Sequence, residues 1–279
     1  MPESQRIRIS PRATDVSRMT TEELRETFLI DKVFNTNSVT MTFTDLDRMA
    51  VGGIAPGTSP VPLAPDRETG TDFFLARREL GVLNVGGPGT VFTDGTKHEL
   101  ANLDCLYVGM GTKSVTFQSS DAAKPARFFL LSTPAHHTFP TVKATQKQAN
   151  PVALGSQATA NQRKIYQYVH EKGIKSCQLV MGFTELAEGS VWNTMPPHTH
   201  SRRTEIYFYF DMGQNVVIHL MGDPQHTRNL IVQDSQAVLS PAWSIHCGCG
   251  TGSYRFIWAM GGENQTFDDM DKVAATDLR

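Results

Sequence analysis

Short apolar blocks, each about four to eight residues long, recur along most of this chain. In the first half they are Gly81–Gly86, Gly89–Thr93, Asp104–Val108, Ser114–Phe117 and Ala126–Leu131. In the second half they are Ile165–Val169, Cys177–Phe183, Glu205–Phe210, Val216–Met221, Leu230–Val232, Ala237–Leu239 and Tyr254–Ala259. Turn formers stand between them, as at Gly86-Gly87-Pro88-Gly89 and Asp94-Gly95. Close, regular spacing of short strands predicts an all-β sandwich or barrel. Val39–Thr44 alternates apolar residues with threonine and reads as a strand with one wet face. One helix is predicted near the N-terminus, with Thr20 or Thr21 as its cap, Glu22 and Glu23 in its first turn, and Met19, Leu24 and Phe28 on one face.

The Pro/Gly-rich run from Val51 to Pro65 reads as a long ordered loop or linker. The organisation expected is therefore an N-terminal arm and linker over 1–69, a first barrel over 70–145 and a second over 146–279. A Thr/Gln/Ala-rich stretch within 134–165 connects the two barrels. Leu103–Gly109 matches Gln236–Ala242, an internal duplication that suits two double-stranded β-barrels in one chain. The acidic segment Gly261–Asp271 reads as solvated.

The chain has 279 residues with 39% hydrophobic content, enough for a large core or two medium ones. A net charge of −2 provides no basic footprint, so nucleic acid is not an expected partner. No apolar run is long enough to span a bilayer, and the N-terminus lacks the apolar core of a secretory signal. A cytoplasmic protein is expected. Cys105, Cys177, Cys247 and Cys249 are too scattered for a disulfide framework and read as packed free thiols.

Candidate chemistry concentrates in the second half. His198 and His200 stand two apart, and on a strand both rings face one side. Glu205 follows five later, so residues 201–204 must turn the chain if it is to join them. His246 arrives from a distant strand. Three imidazoles and one carboxylate suit a borderline divalent ion with a position left open for substrate. His98, His136, His137, His170 and His226 have no partner at ligand spacing and are expected at surfaces or in local hydrogen bonds. His219 lies on a strand between Ile218 and Leu220 and can face either the interior or solvent.

The His-x-His-x4-Glu run and Pro241-x4-His246 resemble the two motifs of the cupin superfamily. Gly189 and Gly213 take the flanking glycine places with looser spacing, and Trp243 stands where the second motif has glycine. A longer resemblance covers nearly the whole chain. Residues 192–200, Arg202-Arg203, Tyr207–Phe210, Ser240–His246 and Gly262–Asp271 are similar to the 5-keto-4-deoxyuronate isomerase family. Leu83–Thr90 and Leu106–Gly109 extend the match into the first half.

That resemblance implies two cupin barrels behind a short helical arm. It implies one Zn2+ per chain, held by His198, His200, Glu205 and His246 in the second barrel only, and a homo-oligomer, by resemblance a hexamer. The implied activity is an aldose–ketose isomerisation of 5-dehydro-4-deoxy-D-glucuronate to 3-deoxy-D-glycero-2,5-hexodiulosonate in pectin and uronate breakdown. A metal acting as Lewis acid would polarise the carbonyl, and a base would move the carbinol proton. The base is left open among Glu205, His219, Tyr207 and Tyr209. Arg202 or Arg203 is the candidate cation for the substrate carboxylate. The competing readings are a hexuronate or 5-deoxyglucuronate isomerase, a non-catalytic sugar-binding cupin, and an iron dioxygenase.

Overall fold

The structure is a computed structural model and describes residues 6–279. The reading of the N-terminus as no signal peptide begins at positions 1–5, which lie outside the described residues.

Two pairs of facing sheets make up the fold. In the first pair, a seven-stranded sheet runs in the order Ile7–Arg8, Thr40–Thr44, Ala50–Ile54, Phe128–Pro134, Arg78–Asn84, Cys105–Val108, Val142–Ala144. A four-stranded sheet of Val61–Pro62, Val115–Ser119, Gly89–Thr93 and Thr96–Leu100 faces it. Their shared interior is aliphatic and aromatic, with Leu80, Val82, Val91, Leu106, Phe117 and Phe128 buried together.

The second pair repeats the plan. Its seven-stranded sheet is Asn150–Leu154, Arg163–Val169, Val180–Leu186, Arg255–Gly262, Arg203–Phe210, Ala237–Ser240, Leu29–Ile30. Its four-stranded sheet is Trp192–Asn193, Ile245–Gly250, Val217–Asp223, His226–Val232. The units are the double-stranded β architecture expected, built as sandwiches rather than as continuously closed barrels.

Strand order bears out the duplication, since Cys105–Val108 and Ala237–Ser240 take equivalent places. The residue match is one out of step. Leu106 faces its own sandwich core, whereas Leu239 pairs with Ile206 on the face shared with Phe208, away from the second interior. A one-residue slip exchanges the faces of a strand.

The arm expected over 1–69 is corrected, because Thr40–Thr44, Ala50–Ile54 and Val61–Pro62 are strands of the first sandwich. Gly52 and Gly53 do not break the chain there. A Cβ on Gly52 would lie 1.7 Å from the Thr40 carbonyl oxygen, so glycine is what lets these strands approach. Leu29–Ile30 pairs instead with Val238 and Ala237 at the edge of the second sheet.

The predicted helix is Thr21–Phe28. Thr20 is its cap, with a reciprocal Thr20–Glu23 capping box and buried Leu24 and Phe28. No helix among the described residues is long and apolar enough to cross a membrane. The two seven-stranded sheets pack back to back, with Phe129 of one stacked on Phe208 of the other at 4.9 Å between ring centroids.

Candidate metal centre

Alternation along Arg203–Phe210 sorts the site. Ile206 and Phe208 face the first sandwich, while Glu205, Tyr207 and Tyr209 face the second sandwich's interior. His246 comes from the facing sheet, where it pairs with Met221. His198 sits on a two-residue strand, His198–Thr199, which pairs with Asp271–Lys272. The chain turns at Ser201–Arg202 before entering the next strand, as the spacing of His200 and Glu205 requires.

One nitrogen from each of His198, His200 and His246 and one oxygen of Glu205 lie within 4.8 Å of one another. Glu205 Oε2 is 3.0 Å from His200 Nε2 and 2.9 Å from His246 Nε2. His198 Nε2 is 3.0 Å from the Nε2 atoms of both other histidines.

The tautomers test whether a cation fits. His200 Nδ1 donates to the Asp269 carbonyl at 2.8 Å, and His246 Nδ1 faces the Ser244 carbonyl at 3.4 Å and Ser240 Oγ at 3.2 Å. With protons on Nδ1, the Nε2 lone pairs of His200 and His246 face one another, His198 and a carboxylate. Such a set is repulsive unless a cation stands between its members. Ligand bonds of about 2.0–2.1 Å place neighbouring donors roughly 3 Å apart, so these separations fit a divalent ion.

Electrostatics agree. Burial opposes ionisation of Glu205, but positive charge beside its Oε2, which the ion-free cluster takes from protons on His246 and His200 and a bound cation would supply in their place, outweighs it and holds the carboxyl well below its usual range. Burial and the like charge of His246 push His198 down to about 2, against the pull of Glu205. It is therefore a neutral imidazole, the form that ligates metal.

The cluster opens into a cavity of about 770 Å³. Trp258, Phe256 and Met260 form part of its apolar wall, and Arg163, Tyr207 and Lys272 supply polar groups. A Cβ on Gly182 would lie 2.3 Å from the Trp258 ring, so glycine there makes room for the indole. Tyr207 Oη is 3.0 Å from Thr194 Oγ1, and burial together with the Glu205 charge raises its pKa well above the usual phenol value.

Of the candidates named from sequence, Glu205 and Tyr207 line this cavity and His219 and Arg202 do not. His219 is fully buried behind it, its Nδ1 2.8 Å from Tyr209 Oη and its Nε2 without a partner among the described residues. Arg202 turns outward, away from the cavity lining, and is ion-paired with Asp269 and Asp271.

Arg203 lines the cavity and is 1% exposed, but its guanidinium is spent on backbone carbonyls of the tail, including those of Thr266 at 2.6 Å and Phe267 at 2.9 Å. Cys247 and Cys249 stand outside the cluster. Tertiary structure adds Arg163. Its Nη1 donates to the Asn161 carbonyl at 2.9 Å, and it has no carboxylate partner among the described residues. No local sequence signal marks it, because it reaches the cavity from a strand 35 residues before His198.

The acidic tail expected in solvent is corrected. Phe267, Asp268, Met270, Lys272, Val273 and Ala274 line the cavity. The tail is held there by the carbonyl contacts of Arg203, by the His200–Asp269 bond and by Val273 N donating to the Pro197 carbonyl at 3.0 Å.

Fold and site together define a two-sandwich cupin with a His3Glu cluster in its second unit. Residues 29–275 match the KduI/IolB family, and the chain belongs to it. A 4-deoxy-L-threo-5-hexosulose-uronate ketol-isomerase of Opitutus terrae is 55% identical over 98% of this chain and 100% of its own length. An Enterococcus faecalis protein, 4-deoxy-L-threo-5-hexosulose-uronate ketol-isomerase 2, is 51% identical over 95% and 96%. Among solved structures, an IolB-like protein from Salmonella typhimurium superposes with a TM-score of 0.67 at 13% identity, covering 82% of this chain and 89% of its own. A Bacillus subtilis oxalate decarboxylase with Mn(II) centres gives 0.56 at 10% identity, covering 81% and 71%. These two likenesses concern the fold.

Proposed function

We propose that this protein is a metal-dependent ketol-isomerase that converts 4-deoxy-L-threo-5-hexosulose uronate, the same compound as 5-dehydro-4-deoxy-D-glucuronate, to 3-deoxy-D-glycero-2,5-hexodiulosonate. The observation that carries this is the His198, His200, Glu205 and His246 cluster opening into a cavity, in a chain 55% identical to a relative of that name. The ion is read as Zn2+, one per chain, and it would act as a Lewis acid on the substrate carbonyl. The setting is uronate breakdown, as in pectin use, in the cytoplasm and within a homohexamer.

The chain's own groups divide the remaining work. Arg163, which has no carboxylate partner among the described residues, offers its guanidinium to the substrate carboxylate and so orients the sugar chain. Tyr207, kept as a neutral phenol, donates a hydrogen bond to a substrate oxygen and accepts one from Thr194 Oγ1. Glu205 is too weakly basic to take a carbon-bound proton. Asp268, the other carboxylate on the cavity wall among the described residues, is assigned that transfer. His219 braces Tyr209 from behind rather than touching substrate.

The test is to load purified protein with zinc, add the deoxy-keto uronate and follow the aldehyde signal by NMR, with free hexuronates and 5-deoxyglucuronate in parallel. Loss of the aldehyde with appearance of the diketo acid is expected. Metal-loaded protein that leaves the substrate unchanged overturns the reading.

A further inference from the structure

The first sandwich carries no ligand of the cluster, yet one of its side chains is tied to it. Glu79, on Arg78–Asn84, is 0% exposed and points across the interface into the second unit. Its carboxylate accepts five hydrogen bonds. Two come from its own sandwich, from Tyr107 Oη at 2.6 Å and Thr133 Oγ1 at 3.0 Å. Three come from consecutive backbone amides of the second unit, those of Cys177 at 2.7 Å, Gln178 at 2.7 Å and Leu179 at 2.8 Å. A buried carboxylate is costly unless its lone pairs are filled, and here they are filled mainly by a loop of the other sandwich.

That loop is a further anchor of the tail. Ser176 Oγ donates to the Leu179 carbonyl at 2.5 Å and accepts from Gln265 Nε2 at 2.7 Å. Gln265 lies between Asn264 and Thr266, whose carbonyls Arg203 Nη1 binds at 3.4 and 2.6 Å. Arg203 Nη2 continues to the Asp269 carbonyl at 3.3 Å, and that carbonyl receives His200 Nδ1. Every link from Glu79 to His200 is a hydrogen bond, a short piece of backbone or the side chain of Gln265 or Arg203. The partner on the far nitrogen of a ligating imidazole sets its tautomer and ring orientation.

We propose that Glu79 is a positioning residue for the metal centre, acting through the 176–179 loop and Gln265 to hold the Asp269 carbonyl against His200. The first sandwich thereby contributes to the geometry of a site it does not line. The inference rests on the metal reading above, and metal affinity separates the two.

The experiment measures Co2+ affinity by chelator competition, and the visible spectrum of the cobalt-loaded protein, for the intact chain and four variants. Glu79→Gln turns an amide N–H toward backbone donors, and Gln265→Met cuts the link further along. Each is expected to weaken metal binding about tenfold, the low end for an outer partner of a ligand, and to shift the cobalt bands. The double variant is expected to fall no further than either single one, because both act on one path. Tyr107→Phe removes a donor from Glu79 but leaves the three amides. It is expected to lower the melting temperature while keeping affinity within about twofold of the intact chain, a pattern a merely structural role for Glu79 would share across all variants. Folded Glu79→Gln or Gln265→Met protein with unchanged affinity and spectrum overturns the proposal. Should Glu79→Gln fail to fold, Gln265→Met decides alone. An intact chain that binds no cobalt overturns the metal reading and this inference with it.

Discussion

Tyr207 and Asp268 carry opposite halves of the proposed proton traffic, so their variants separate cleanly. Asp268→Asn and Tyr207→Phe are each expected to reduce kcat by about 10²–10⁴-fold, the range for a positioned acid or base, with metal content unchanged. Arg163→Met removes a charge-assisted contact of about 1.5–3 kcal/mol. It is expected to raise KM by about 10–100-fold, with a smaller effect on kcat, in steady-state assays. Arg202→Ala serves as the contrast: its guanidinium already meets Asp269 and Asp271, so KM is expected to stay within about threefold.

His219, like His198, makes stability depend on pH. Burial and the charge of His246 push it down to about 3, against Glu205, from the ordinary 6.5. Below the ordinary value the unfolded chain binds a proton that the folded chain refuses. Stability is therefore full above about pH 6.5 and is lost as pH falls toward 3. Urea midpoints of chelator-treated protein are expected to drop between pH 7 and pH 5, and to drop less in His219→Gln.

At the scale of elements, the helix Thr21–Phe28 was legible from its cap and its apolar spacing, both of which are local. Thr20→Ala should cost about 1 kcal/mol in chemical denaturation by removing the capping box. Most strands were legible for the same reason, since period and turn chemistry lie within a few residues. The failures were elements whose state depends on a distant neighbour. Ala50–Ile54 looked like a linker because of its glycines, but Phe128–Ser132 and Thr40–Phe43 flank it and only a bare backbone fits between them. The tail looked solvated because it is acidic. Asp269 and Asp271 in fact neutralise Arg202, and the Arg203 guanidinium caps the tail's carbonyls.

At the scale of the molecule, the back-to-back contact of the two large sheets binds the sandwiches together. Phe208 is 0% exposed and stacks on Phe129 across it. Phe208→Ala is expected to cost about 3–5 kcal/mol, the usual penalty for deleting a buried aromatic, read from urea unfolding. A single cooperative transition in the intact chain would show the sandwiches unfolding together.

The sequence by itself determined that the chain is mainly β and doubled, and that His198, His200 and Glu205 stand at ligand spacing, because strand period, turn residues and that spacing are local facts. It also carried the family resemblance, in runs long enough to read directly. Only the tertiary structure decided that the repeat is one residue out of step, that Arg163 and not Arg202 faces the cavity, that Tyr207 lines it while His219 stands behind, and that the tail forms part of its wall. Each of these depends on which face of a strand meets which distant segment. A single chain read in one dimension does not contain that pairing.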